Sequence, residues 1–233
     1  MDKVLGIIPA RGGSKGIIKK NMKILNGKPL IDYTIVAAEK SELLDKFIVS
    51  TDDEDILEYC KQRGVFAPFI RPDELSTDTA SSVDVVLHAI DYFEKNGIFY
   101  DSVMLLQPTT PFRSYELIDR SIRCFYKKNL TSIVSVVDVG ANHPHRMYSM
   151  NQNDALEPLI NTNDPMMARQ SLPRFYIRSG DIYMISVSEL KKSGSLIGSK
   201  PHGLEVDALN AVNIDTPLDF FVAESLLSEQ CDY

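Results

Sequence analysis

Lys3 to Ile8 is a short apolar run without alternation, and it passes through Pro9 into Ala10-Arg11-Gly12-Gly13-Ser14-Lys15-Gly16. A strand with one face in water alternates apolar and polar residues. A run without alternation suits a strand covered on both faces, as in a parallel sheet between two helix layers. The downstream pattern keeps that rhythm, with strands expected at 46–50, 65–70, 102–106, 132–137, 181–186 and 211–214. Helices are expected at 29–40, 53–63, 79–96, 114–128 and 217–228. Val83, Val86, Leu87, Ile90 and Phe93 recur at helical spacing in the third of these, and Gly97 stands where a C-terminal cap belongs. Strands alternating with helices imply an α/β fold, with the loops after the strands gathered at one binding edge.

The rhythm fails at about residues 138–180, a stretch holding Pro144, Pro158, Pro165 and Pro173. A connection of that length inside one domain is a functional or interaction element more often than a plain loop. The expectation is a single domain over residues 1–233 with one insertion.

Charge is unevenly placed. The net charge is −7, yet Lys3 to Ile31 contains seven cations and no acid. An acidic chain does not suit nucleic acid, whereas a local positive field suits a small polyanion. No apolar run reaches the ~18 residues that read as a membrane span. The three cysteines, Cys60, Cys124 and Cys231, fit no metal spacing or disulfide framework, so a reducing, cytoplasmic setting is expected.

The glycines let the loop after the first strand turn tightly and approach a ligand closely. Its backbone N–H groups can form an anion nest, to which Arg11, Lys15 and Lys20 add charge-assisted hydrogen bonds. The Walker pattern is not met, because Lys15 precedes Gly16 and no Ser or Thr follows; G-x-G-x-x-G is missing too. A solvated basic loop is the plain alternative.

The whole string, strand-Pro-Ala-Arg-Gly-Gly-Ser-Lys-Gly and then Lys20-Asn21, resembles the signature of the acylneuraminate cytidylyltransferases. Arg71-Pro72 with Thr77-Asp78-Thr79-Ala80-Ser81-Ser82, and Leu106-Gln107-Pro108-Thr109-Thr110-Pro111-Phe112-Arg113, resemble its next motifs. So do Arg169-Gln170, Gly180-Asp181-Ile182-Tyr183 and Asn213-Ile214-Asp215-Thr216-Pro217. The resemblance implies a mostly parallel Rossmann-like nucleotidyltransferase sheet flanked by helices, with a dimerisation insertion.

The activity it implies is transfer of CMP from CTP to the anomeric hydroxyl of an acidic nine-carbon keto sugar, with release of pyrophosphate. Ala10, Arg11, Ser14, Lys15, Asn21, Arg71, Ala80 and Ser82 would bind the nucleotide. Arg11, Lys20 and Asp215 would be catalytic, the first two by stabilising charge at the α-phosphate. Gln107, Arg146, Arg169 and Tyr183 would bind the sugar. Asp215 and Asn213 would hold Mg²⁺, and a homodimer would share its active sites.

For Ser81 and Ser82 capping of the long helix stands beside the cytosine role, for Tyr183 core packing stands beside the sugar role, and Arg113 suits a loop cap or a pairing with an acid. His88, His143 and His145 suit core or loop positions. Asp52-Asp53-Glu54-Asp55 suits the acidic first turn of a helix.

Two positions depart from the resemblance. Relatives commonly have Asp-x-Asp where this chain has Asn213-Ile214-Asp215, so another acid, Asp207 or Asp219, could compensate. Many sialic acid enzymes have Asn at Ser179. That leaves legionaminic or other bacterial nonulosonic acids as alternatives, with the eight-carbon acid Kdo and a catalytically weak nucleotide binder further off.

Overall fold

The computed structural model describes residues 2–161 and 166–230, except for the side chains of Arg169, Glu229 and Gln230. The chain opens with β1, Val4–Pro9, followed by the small antiparallel pair β2, Ile24–Leu25, and β3, Lys28–Pro29. Then come α1, Leu30–Lys40; β4, Lys46–Ser50; α2, Glu54–Arg63; α3, Ser82–Lys95; β5, Ser102–Leu105; and α4, Tyr115–Lys127. The strand β6, Ser132–Asp138, leads to the hairpin β7, Tyr148–Met150, and β8, Leu156–Pro158. The remainder is β9, Tyr176–Ser186; α5, Val187–Ser193; β10, His202–Glu205; and α6, Pro217–Gln230.

Six strands form the main sheet in the order β10-β6-β9-β5-β1-β4. All pairings are parallel except those of β9, which runs antiparallel to both β5 and β6. The unbroken apolar reading of β1 has its cause here. Val4 and Ile8 enter the core beneath α1, α2 and α4, while Leu5 and Ile7 enter the core beneath α3 and α5. Each such side chain, fully buried, is worth about 1.5–3 kcal/mol. A third, smaller core joins Ile17, Leu25, Leu30, Ile214, Phe220 and Ala223, and so packs the glycine-rich loop against α6.

The helices start where local chemistry says they should. Asp53 caps α2 by accepting from the Ile56 N–H at 3.0 Å, and Gly64, at φ 70°, ends it. On α3 the buried stripe is Val85, Val86, Ala89, Ile90 and Phe93; Val83 and Leu87 are only half-buried.

Three strand expectations need correction. Residues 211–214 form no strand; they run as a loop whose Ile214 N–H donates to the Thr109 carbonyl at 2.8 Å. The outermost strand is β10, a half-exposed element paired on one side only, with Pro201 before it and Gly203 within it, so it lacks a strong hydrophobic pattern. Residues 65–70 follow the free side of β4 in extended form but contribute only one bridge, Thr51 to Ile70. Finally, β9 begins five residues earlier than its apolar half, because its exposed first residues pair with the end of β6, Asp138 opposite Tyr176. The sheet therefore claims both ends of the inserted stretch, and the exposed β7–β8 hairpin lies between them.

Candidate active site

The loops after β1 and β5 and the segment leading into α3 meet around a cavity of about 430 Å³, which Asp215 also lines. That volume is within the range of small-molecule sites. The loop after β1 is drawn inward at several points. The Gly12 N–H donates to Asp52 Oδ1 at 3.2 Å, and the Asn21 side-chain nitrogen donates to the Arg11 carbonyl at 2.9 Å. A Cβ on Gly16 would overlap the Asp215 carbonyl oxygen, so only glycine allows the loop to touch the segment before α6.

Four cations line the cavity, each paired with an acid of the same chain, and one of the three acids, Asp78, is shared by two of them. The two oxygens of Asp78 hold Arg11 at 2.9 Å and Lys15 at 2.8 Å. Lys20 Nζ lies 2.9 Å from Asp215 Oδ1 and donates to the Ile214 carbonyl at 2.8 Å. Buried Arg71 reaches Asp52 at 3.2 Å and Ser76 Oγ at 3.1 Å. Hydrogen bonding from Lys15, with the charges of Lys15 and Arg11, holds the Asp78 carboxyl below its ordinary range. Burial pushes the Arg71 guanidinium down from its usual value, against the pull of Asp52. The N-terminus of α3 also faces the cavity, and its free N–H groups add positive potential.

Of the expected nucleotide contacts, Arg11, Ser14, Lys15, Asn21, Arg71, Ala80 and Ser82 line this cavity, as do Lys20, Gln107 and Asp215. Ala10 does not. It is fully buried behind the loop, its N–H donating to the Ser50 carbonyl at 2.9 Å. The two serines divide their roles: Ser81 caps α3 by accepting from the Val83 N–H, which leaves the Ser82 hydroxyl to the cavity.

Arg113 is buried and acts as a loop cap. It donates to the carbonyls of Gln107 and Asp181, both at 2.6 Å, and to Thr34 Oγ1 at 3.0 Å. Burial pushes its pKa down to about 10.

A second cavity, of about 230 Å³, adjoins the first and shares Ser82 and Gln107 with it. Tyr183 and Arg178 line it, with Leu105, Ser195, Leu196 and Ile197. Arg146 is exposed and lines neither cavity of its own chain. The Arg169 side chain lies outside the described residues.

Asp215 Oδ2 accepts from the Asn213 amide at 2.7 Å. Asp219 Oδ2 accepts from the Asp215 and Thr216 N–H groups and the Thr216 hydroxyl, while Thr216 Oγ1 accepts from the Asp219 N–H. This reciprocal cap fixes the start of α6 and makes Asp219 a support for Asp215. Among the described residues no group of three or more His, Cys, Asp or Glu side chains forms a ready-made metal centre. One exposed carboxylate beside Lys20 nonetheless fits Mg²⁺, which takes most of its oxygens from phosphates and water when a nucleotide is bound.

The histidines take core and loop positions: His88 packs edge-on against Phe69, and buried His143 contacts the Pro173 carbonyl at 2.8 Å. The roles of Asp78, Asp52 and Arg178 were not legible from residue type; only folding puts them at the site.

The sequence profile of the family described as Cytidylyltransferase matches residues 5–188. The chain belongs to that family. This cytidylyltransferase is 31% identical over 226 residues to a CMP-N,N'-diacetyllegionaminic acid synthase from Legionella pneumophila, covering 97% of this chain and 96% of that protein. It is 32% identical over 220 residues to an N-acylneuraminate cytidylyltransferase from Streptococcus agalactiae, covering 94% of this chain but only 52% of that longer protein. A solved CMP:2-keto-3-deoxy-manno-octonic acid synthetase, complexed with CTP, shares the fold at a TM-score of 0.69 and 17% identity, covering 98% of this chain and 100% of that one.

Proposed function

We propose that this cytidylyltransferase moves CMP from CTP to the anomeric hydroxyl of a nonulosonic acid. The sugar oxygen forms a bond to the α-phosphorus, the bond from that phosphorus to the pyrophosphate oxygen breaks, and the hydroxyl proton is lost. One observation carries the reading: Arg11, Lys15, Lys20 and Arg71 converge with the α3 N-terminus on a cavity that shares Ser82 and Gln107 with a second one. Their three carboxylate partners balance only part of that charge, which leaves a positive field for a triphosphate.

In this reading Arg11, Ser14 and Lys15 grip the phosphates, and Lys20 stabilises charge developing at the α-phosphate, the main work of a protein in such transfers. Asn21, Arg71, Ala80 and Ser82 seat the nucleoside, and Gln107 and Tyr183 face the sugar. Asp215 would hold Mg²⁺ with the phosphates, and the ion would neutralise charge there. Asn213 would steady that carboxylate through its amide. The exposed apolar residues of the insertion, among them Met147, Met150 and Leu156, suit a homodimer contact that carries Arg146 and Arg169 to a second copy's site. Among the described residues no helix is long and apolar enough to cross a membrane; a cytoplasmic location is part of this proposal.

A legionaminic-type acceptor is the second reading. The Ser179 side chain is buried and its hydroxyl donates to Ser135 Oγ at 2.7 Å, so it does not face the sugar. The apolar wall of Leu105, Leu196 and Ile197 then suits a deoxygenated sugar tail. Pyrophosphate release with CTP, Mg²⁺ and a panel of sialic, legionaminic, pseudaminic and Kdo acids tests both readings. A folded protein inert toward the whole panel would refute them.

A further inference from the structure

In a regular strand Arg178 and Tyr183 would point to opposite faces, because side chains alternate. Both line the second cavity, and a bulge is the reason. Val134 of β6 lies opposite Tyr183, while Val136 lies opposite Arg178. Two steps along β6 thus match five along β9, leaving Ser179, Gly180 and Asp181 as three extra residues. An odd number of extra residues inverts the alternation and returns Arg178 to the face of Tyr183.

The bulge is held from both sides. Gly180 takes φ 88°, and a Cβ there would crowd Thr110 Cγ2 at 3.3 Å, close to Gln107 Oε1 at 3.6 Å. The Ser135 hydroxyl fills the gap, accepting from the Ile182 N–H at 2.8 Å and from Ser179 Oγ at 2.7 Å.

The charge that this bulge presents differs from the others at the site. Arg11, Lys15, Lys20 and Arg71 each pair with an acid of the same chain. Among the described residues no carboxylate lies within ion-pair distance of Arg178, although it lines a cavity with partly apolar walls. Burial raises the pKa of the nearby Tyr183 phenol, and the Arg178 charge offsets part of that rise.

We propose that Arg178 is this chain's own anchor for the carboxylate of the acceptor sugar. The inference rests on the transferase reading and adds a recognition residue to it. In a 2-keto acid sugar the carboxylate and the reacting hydroxyl are on the same carbon. A guanidinium that grips the first, bidentately, therefore sets the position of the second relative to the nucleotide. Gln107, shared by both cavities, stands where they join.

The test compares wild type with R178A, R178Q and R178K, using whichever acid of the panel turns over and its carboxyl methyl ester. The expected result is a rise of about 10- to 100-fold in KM for the free acid in R178A and R178Q, the worth of a charge-assisted contact. KM for CTP stays within about twofold, and R178K recovers part of the loss. The ester is poor for wild type and no poorer for R178A, because the contact is already gone. A KM change under about twofold, or independent losses from ester and mutation, overturns the assignment.

If wild type turns over no acid, the transferase reading fails separately, and calorimetric titration of the same acids decides the anchor. Binding by wild type that R178A loses supports it. Equal binding by both, or none by wild type, overturns it.

Discussion

Lys20 Nζ lies 2.9 Å from Asp215 Oδ1, joining the glycine-rich loop to the segment before α6 across 195 positions of sequence. The side chain of Lys20 is 13% exposed and that of Asp215 62% exposed, so the lysine is fixed while its acid partner faces the solvent. Replacing Lys20 by Gln removes a fixed positive charge from the cavity. A drop of about 100- to 1,000-fold in kcat is expected, the scale for losing one transition-state donor. Pyrophosphate release checks the rate, and thermal melting checks that the fold persists.

Asp78 pairs with Arg11 and Lys15 at once, the two cations proposed to grip the phosphates. A triphosphate and this carboxylate compete for the same donors. D78N should therefore lower KM for CTP several-fold, with kcat little changed. Lys15 and Arg11 keep Asp78 ionised, so the difference should persist from pH 5 to pH 8, a range over which steady-state kinetics can be compared. A higher KM for CTP in D78N would refute the competition.

Asp219 and Thr216 cap α6 reciprocally, and Asp219 also holds the Asp215 N–H. D219A should cost about 1 kcal/mol, the usual worth of a cap. In a chain of this size that lowers Tm by about 2–4 °C. Because Asp215 loses an anchor, activity at limiting Mg²⁺ should fall more than activity at saturating Mg²⁺. Melting curves and a magnesium titration of the rate give the two readouts.

Asp181 carries a pH dependence of stability. Both carboxylate oxygens are buried without a hydrogen-bond partner, and burial raises its pKa, only partly offset by nearby Ser179 and the Arg113 charge. A carboxyl raised in the folded state binds a proton that the unfolded chain has released. Its effect on stability is therefore most favourable below the ordinary carboxylate pKa and is lost as pH rises through the folded value. D181N removes that dependence. Relative to wild type it should gain stability between pH 4 and pH 7, measured as the urea midpoint across that range. A midpoint difference independent of pH would exclude Asp181 as the source.

The local sequence determined a good deal. The unalternating apolar residues of β1, the acidic start of α2 and the helical spacing on α3 are short-range consequences of burial and local electrostatics, so they can be read without coordinates. The gathering of Arg11, Lys15 and Lys20 at one cavity could be read too, because their charge is concentrated where the rest of the chain is acidic. The edge strand β10 could not, since one-sided pairing imposes little pattern on its residues.

Tertiary structure alone decided which acid meets which cation, and which face a strand residue takes. Asp78 and Arg11 are 67 positions apart, and nothing near either residue in the chain encodes their contact. Arg178 looks like any exposed arginine until the three-residue bulge, plugged by Ser135 from the neighbouring strand, turns it toward Tyr183. Periodicity records the angle between adjacent residues, whereas a bulge is fixed by what the partner strand supplies.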